Sequence, residues 1–257
     1  MMIQLGHISE VVRYPVKSMA GSSTQSAHLG WHGLDGDRRF AFRRLEDNSG
    51  FPWLSASRLP ELLLYQPLGV DESAGEPLPT HVRTPAGSSL ELRGAELQNE
   101  ISERLRSNVE LMNLKHGIFD DSAISVISLA TMGDISRAAE VDLDTRRFRA
   151  NIVLETLDVE PFLEDKWVGG TLVFGDQGSA PMVRVTQRDV RCMMINLNPD
   201  TAKQDARVLK TAVRLNDNNA GVYGTVVQTG MIHVGQAVSL GNWLNNGGRI
   251  SPRFLKT

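Results

Sequence analysis

"VTQRDVRCMMINLNPDTAK", residues 185–203, contains Cys192, the single cysteine of a 257-residue chain. The segment continues a strand-like run, "APMVR", and breaks in the turn-forming "NLNPDT", so Cys192 falls near a strand end. A single cysteine forms no disulfide within its chain, and its role is either packing or chemistry. A free cysteine is most often a small buried hydrophobe. Here Arg191 is adjacent and Arg188 lies four residues before. Nearby cations favour the thiolate, which is a nucleophile and a ligand for soft metals.

Outward from this strand the chain is rich in short extended segments. "FLEDKWVGGTLVFGDQGS" and "GTVVQTGMIHVGQAVSL" are strand-like, with Gly169, Gly170 and Gly235 marking turns. "NIVLE" is a further strand, and "QLGHISEVVRYPV" is one that ends at Pro15. "RRFAFRRLED" places Phe40 and Phe42 on one face and predicts a hairpin with "PWLSASR" as its return arm. "LPELLLYQPL" continues as strand, and the Gly-, Pro- and Ser-rich residues 73–92 join short strands. Helices are few. "AELQNEISERLRSN" has an apolar stripe of Leu97, Ile101 and Leu105, and "SLATMGDISRAAEV" has Ser128 as its N-cap. The fold class is therefore mainly β with a few helices, a β-rich α+β barrel and not a doubly wound parallel sheet. The division between two parts falls within residues 85–120 and is set at 1–95 and 96–257.

Composition removes several function classes. Net charge is −3, so no global field attracts nucleic acid. No uninterrupted apolar run reaches the roughly eighteen residues of a membrane span, and no secretory leader is visible, which with one cysteine predicts a cytoplasmic protein. One cysteine also excludes an all-cysteine iron–sulfur cluster. Among the histidines only His28 and His32 are close, which speaks against a classical zinc site.

Four segments carry cations suited to an anion. In "YPVKSMAG", Lys17 and Ser18 follow a strand-ending proline and offer a point charge, a hydroxyl and backbone N–H groups; a plain polar turn is the alternative. In "GLDGDRRF", an extended backbone sends Arg38 and Arg39 to opposite faces, one toward a pocket and one toward water. In "RRFRANIVL", an extended backbone puts Arg147, Arg149 and Asn151 on one face, where arginine forks bind phosphate or carboxylate and the amide both donates and accepts. Arg191 beside Cys192 is the fourth. Four such segments in a chain of net charge −3 point to one local anion pocket.

These pieces, "YPVKSMAG", "GDRRF", "RFRANIVLE", "VRCMMINLNPDTAK" and "GVYGTVV…GMIHVGQAV", occur in an order that resembles the MOSC proteins over roughly residues 3–240. The first two resemble the N-terminal β-barrel segment that precedes the MOSC domain. The resemblance implies a β-barrel MOSC domain packed on a smaller N-terminal barrel-like domain. It also implies a molybdenum–molybdopterin cofactor held in the cleft between them. The layout is similar to the amidoxime-reducing components, so it implies that Cys192 binds molybdenum and is the catalytic residue. Lys17, Ser18, Arg38, Arg149, Asn151 and Arg191 are then cofactor-binding. The implied activity is reduction of small N-hydroxylated compounds (hydroxylamines, amidoximes, N-hydroxylated bases).

The chain departs from the family pattern at Met19, where relatives often carry cysteine, and at "SASR", residues 55–58. No ferredoxin-like extension or pyridoxal-phosphate-dependent desulfurase half is expected. Electrons are therefore expected from a separate donor protein of ferredoxin, flavodoxin or reductase type, with no nucleic acid partner and no membrane span. Two alternatives stay open: a sulfur carrier or sulfurtransferase with a persulfide on Cys192, and a non-catalytic cofactor-binding module. The C-terminal "GNWLNNGGRISPRFLKT" is expected to be a polar tail.

Overall fold

A computed structural model describes residues 2–71, 73–117, 121–175 and 178–241; most of the C-terminal tail lies outside them. Seven strands form the main body: β1 (Met2–Arg13), β2 (Ile124–Ser128), β3 (Ile152–Thr156), β4 (Thr171–Phe174), β5 (Met182–Val190), β6 (Asn219–Gln228) and β7 (Ala237–Gly241). Their spatial order is β3-β2-β6-β5-β4-β7-β1, and pairing of β1 with β3 closes the barrel. The period-2 pattern explains the interior. Ile124 and Val126, Ile152 and Leu154, Leu172 and Phe174, and Val183 and Val185 all point into one buried cluster with Trp167. Each such side chain contributes about 1.5–3 kcal/mol by leaving water.

Gly6 is where β1 passes from one neighbour to the other: it pairs with both Thr156 and Val238. Its φ is +156°, and a Cβ there would lie 2.0 Å from the Glu155 carbonyl oxygen. The substitution Gly6→Ala is expected to destabilise the chain by about 3 kcal/mol, the upper range for forced overpacking. Denaturant titration of the variant against the natural chain measures this, and a midpoint within error of the original refutes it.

Among the seven described barrel strands only β2 and β3 run parallel. A parallel pair needs a crossover, and of the helices α1 (Ala95–Leu105) and α2 (Leu129–Ala138) it is α2 that supplies it. Ser128 caps α2 as expected, its side chain accepting from the Thr131 amide. The buried Glu164 completes that helix start, accepting from the Ser128 amide at 2.7 Å and the Thr131 hydroxyl at 2.8 Å. α2 and a helix absent from the sequence-based expectation, α3 (Arg207–Asn216), cover the outer residues Ile127 and Val153 of β2 and β3.

The N-terminal part packs a separate cluster from Val16, Met19, Phe40, Phe42, Leu62 and Tyr65, together with Leu97 and Ile101 of the expected helix (Ala95–Leu105) and Val109. Met19, the residue that departs from the family pattern, is fully buried core. Leu197 joins the same cluster, with Met193 and Met194 packed on it, so the segment after Cys192 bridges barrel and N-terminal part.

Several local expectations change. The strand Phe40–Arg44 pairs chiefly with Val109–Asn113, far along the chain. The expected return arm makes only a bridge, Arg43 to Trp53, and bonds from the Leu54 amide to the Phe42 carbonyl and from the Arg44 amide to the Pro52 carbonyl. "LPELLLYQPL" begins with a 3₁₀ turn, Pro60–Leu64, before the strand Gln66–Leu68, because proline suits a helix start and lacks a ladder donor. "FLEDKW" is likewise a 3₁₀ turn at Leu163–Trp167, and Met193–Asn196 curls into another directly after Cys192.

Candidate functional site

The turn after β1 and the turn before Phe40 are laced by backbone bonds. The Arg38 amide donates to the Tyr14 carbonyl at 2.8 Å, the Phe40 amide to Pro15 at 3.0 Å and the Lys17 amide to Phe40 at 2.8 Å. Lys17 and Arg38 are thereby carried to one edge of the barrel. Opposite them, β5 runs out at Val190 and the chain turns at Cys192, whose side is exposed. A cleft of about 330 Å³ opens between, lined by Lys17, Ser18, Arg38, Arg149, Arg191 and Cys192, among others.

Three of these residues adopt the left-handed backbone region that disfavours side chains: Ser18 at φ 66°, Arg38 at 50° and Arg149 at 51°. Such conformations cost about 1–3 kcal/mol each and persist where surroundings impose them. They also correct the sequence-based geometry. Residues 145–148 form a 3₁₀ turn, so Arg147 and Arg149 do not share the face of a strand. Arg147 is buried, with Nη1 donating to the Asn196 carbonyl at 3.3 Å, though both arginines still line the cleft. Arg39 does not face water: it is buried and pairs with Glu76 at 2.9 Å. Arg188, expected beside Cys192, pairs instead with Asp165 at 3.4 Å and is not part of the cleft wall.

Each inner arginine has its own buried carboxylate. Arg38 pairs with Asp37, which is fully buried and also accepts from the Tyr14 amide at 2.6 Å. Arg191 pairs with Asp189 at 2.9 Å and donates to the carbonyls of Ala220 and Phe148 at 2.7 Å each. The ring of Tyr14 is in cation–π contact with the Arg149 guanidinium at 4.3 Å and with that of Arg38 at 5.1 Å. Burial pushes the Tyr14 phenol up to about 12, against the opposing pull of both arginines, so it stays neutral beside two cations.

Asn151 does not line the cleft. Its Oδ1 accepts from Arg38 Nη1 and from the Ser125 amide, both at 3.2 Å, and its Nδ2 donates to the Val12 carbonyl at 3.2 Å. Its amide is thus engaged by the protein, and it positions Arg38. Ser55 and Ser57 of the divergent "SASR" line the mouth, whereas Arg58 does not. Sequence reasoning overlooked Phe51, Ser125, Asp189 and Tyr223, which also line it. Asp189 had a readable signal, an acid inside an otherwise basic motif.

Among the described residues no group of three or more His, Cys, Asp or Glu side chains could hold a bare metal ion. No helix among them is long and apolar enough to cross a membrane.

Residues 113–239 match the MOSC domain and residues 5–122 the MOSC N-terminal beta barrel domain. A similar protein is mitochondrial amidoxime-reducing component 1 of Danio rerio, 30% identical over 129 residues, covering 46% of this chain. The match spans 37% of that relative's own length. Among solved structures, the YUAD protein from Bacillus subtilis covers 93% of this chain and 96% of its own at 13% identity and TM-score 0.48. YiiM from Geobacillus stearothermophilus covers 47% of this chain and 55% of its own at 20% identity and TM-score 0.33.

Proposed function

As the chain belongs to the MOSC-domain proteins, with the N-terminal barrel ahead of the MOSC domain, we propose that it binds a molybdenum–molybdopterin cofactor in the cleft and reduces N-hydroxylated compounds with electrons from a separate donor protein. The observation that carries this reading is the donor set: one exposed thiol beside five cations, Lys17, Arg38, Arg147, Arg149 and Arg191, against two carboxylates, Asp121 and Asp189. That excess of positive charge suits a phosphorylated ligand. A metal that arrives with sulfur ligands of its own needs only one more from the protein, and Cys192 is an exposed thiol on the cleft wall. Arg147 Nε is buried without a hydrogen-bond partner among the described residues, as expected of a site that a polar ligand completes.

In this reading the molybdenum group supplies the two-electron reduction of the N–O bond. Cys192 would give the thiolate that holds the metal. Lys17, Ser18, Arg38, Arg149 and Arg191 would supply the cations and donors for the phosphate and the polar edge of the group, and Asn151 orients Arg38. The setting is cytoplasmic, and the donor is of ferredoxin, flavodoxin or reductase type.

The test is metal and pterin analysis of protein purified from a molybdenum-replete host, followed by reduction of a hydroxylamine with a chemical reductant. One molybdenum and one pterin per chain, with turnover, is expected. Metal-free protein that gains one sulfur on Cys192 after incubation with a cysteine desulfurase would establish a sulfur carrier instead. Tight pterin binding without turnover under any donor would leave a binding module.

A further inference from the structure

Reduction of an N–O bond consumes two protons as well as two electrons: R₂NOH + 2e⁻ + 2H⁺ gives R₂NH and water. Among the described residues no histidine lines the cleft, and its arginines do not release protons; of its two carboxyls, Asp121 and Asp189, it is Asp189 that accepts hydroxyl hydrogen bonds. Resting on the reductase reading, we propose that Tyr223 and Asp189 are the proton-delivering pair. The Tyr223 hydroxyl protonates the leaving oxygen as the N–O bond breaks and regains its proton from the Asp189 carboxyl. The electrons come from the donor protein. Asp189 recovers its proton from water at the cleft, and the second proton, bound for nitrogen, follows the same route.

The geometry comes from three adjacent strands. Ser125 on β2 and Tyr223 on β6 are direct cross-strand partners, and β5 flanks β6 on its other side, carrying Asp189. Ser125 Oγ donates to Asp189 Oδ2 at 2.8 Å, and the Tyr223 hydroxyl hydrogen-bonds the same carboxyl. All three residues line the cleft that holds Cys192. Asp189 is almost fully buried while Tyr223 is half-buried, so the tyrosine is the member with access to a bound molecule.

Asp37 provides the contrast. It anchors Arg38 and accepts a backbone N–H, and it is absent from the cleft wall. Asp189 anchors Arg191 too, yet two hydroxyls lead from it into the cleft. Burial pushes its carboxyl above the ordinary carboxylate range, opposed by Arg191 just past the end of its own strand, by hydrogen bonds from Tyr223 on the neighbouring β6 and Ser125 on β2 beyond it, and by Arg38 from the N-terminal part.

The test compares Tyr223→Phe and Asp189→Asn with the natural enzyme, each loaded with metal. Both variants are expected to lower kcat about a hundredfold, the usual worth of a positioned general acid; Tyr223→Phe, which leaves the Asp189–Arg191 pair intact, should do so with KM and metal content unchanged. The natural enzyme is expected to lose kcat as rising pH deprotonates Asp189, and Asp189→Asn should show no such fall. Independently of activity, infrared titration of the cofactor-free chain should show a protonated-carboxyl band persisting above the ordinary carboxylate range. That band should be missing in Asp189→Asn and shifted in Tyr223→Phe. An active natural enzyme with variants of equal kcat, or variants that lose metal in step with activity, or no such band, overturns the pair and reduces Asp189 to an anchor for Arg191. A metal-loaded natural enzyme without turnover defeats the reductase reading itself, and the pair with it.

Discussion

Cys192→Ser protein is expected to fold normally, to retain no molybdenum and to turn over N-hydroxylated substrates about a thousandfold more slowly or less, the scale seen when a central catalytic group is removed. The side chain is exposed, so replacing sulfur by oxygen disturbs no packing and shifts stability by less than about 0.5 kcal/mol. The chemistry changes far more. A serine hydroxyl is a hard donor that stays protonated near neutral pH, whereas a thiolate is soft and matches a heavy metal. Thermal melting separates folding from function, metal analysis separates binding from turnover, and steady-state kinetics completes the comparison. Undiminished turnover in the serine variant would remove the cysteine from the mechanism.

Asp37→Ala is expected to cost about 3–4 kcal/mol of stability, the largest effect anticipated for a residue outside the barrel interior. Two losses combine. Arg38 is left near the base of the cleft without its buried carboxylate, a change that typically costs about 3 kcal/mol or more. The buried Tyr14 amide also loses the acceptor it meets at 2.6 Å, worth about 1 kcal/mol. Cofactor affinity should fall with stability, because Asp37 and Asn151 together aim the Arg38 guanidinium. Asp37→Asn keeps an oxygen for the Tyr14 amide and should lie between the two. Denaturant unfolding of the three proteins gives the order, and equal midpoints would show that Arg38 is held by other contacts.

Some of this architecture was legible residue by residue. Pro15 ended a strand because it cannot donate, Ser128 capped a helix because its hydroxyl reaches the Thr131 amide, and the Leu97–Ile101 stripe marked a buried helix face. α3 was legible but overlooked: Val208, Thr211 and Ala212 recur at helical spacing and are buried together. "LPELLL" was ambiguous in kind, since a short apolar run suits a strand and a tight turn alike. The pairing of Phe40–Arg44 with Val109–Asn113 had no local signature at all.

By itself the sequence determined the chemical inventory: one thiol, several cation-bearing turns in a weakly acidic chain, and strands bounded by glycine and proline. Only the tertiary structure decided which of these meet. Arg38 reaches Asn151 across 113 residues and Ser125 reaches Asp189 across 64, while Arg39 and Arg188 turn away to Glu76 and Asp165. Those outcomes depend on strand register, on closure between β1 and β3, and on left-handed backbone at Arg38 and Arg149. The physical reason is that residue type and spacing govern local conformation, whereas direction and proximity are imposed by packing between distant segments.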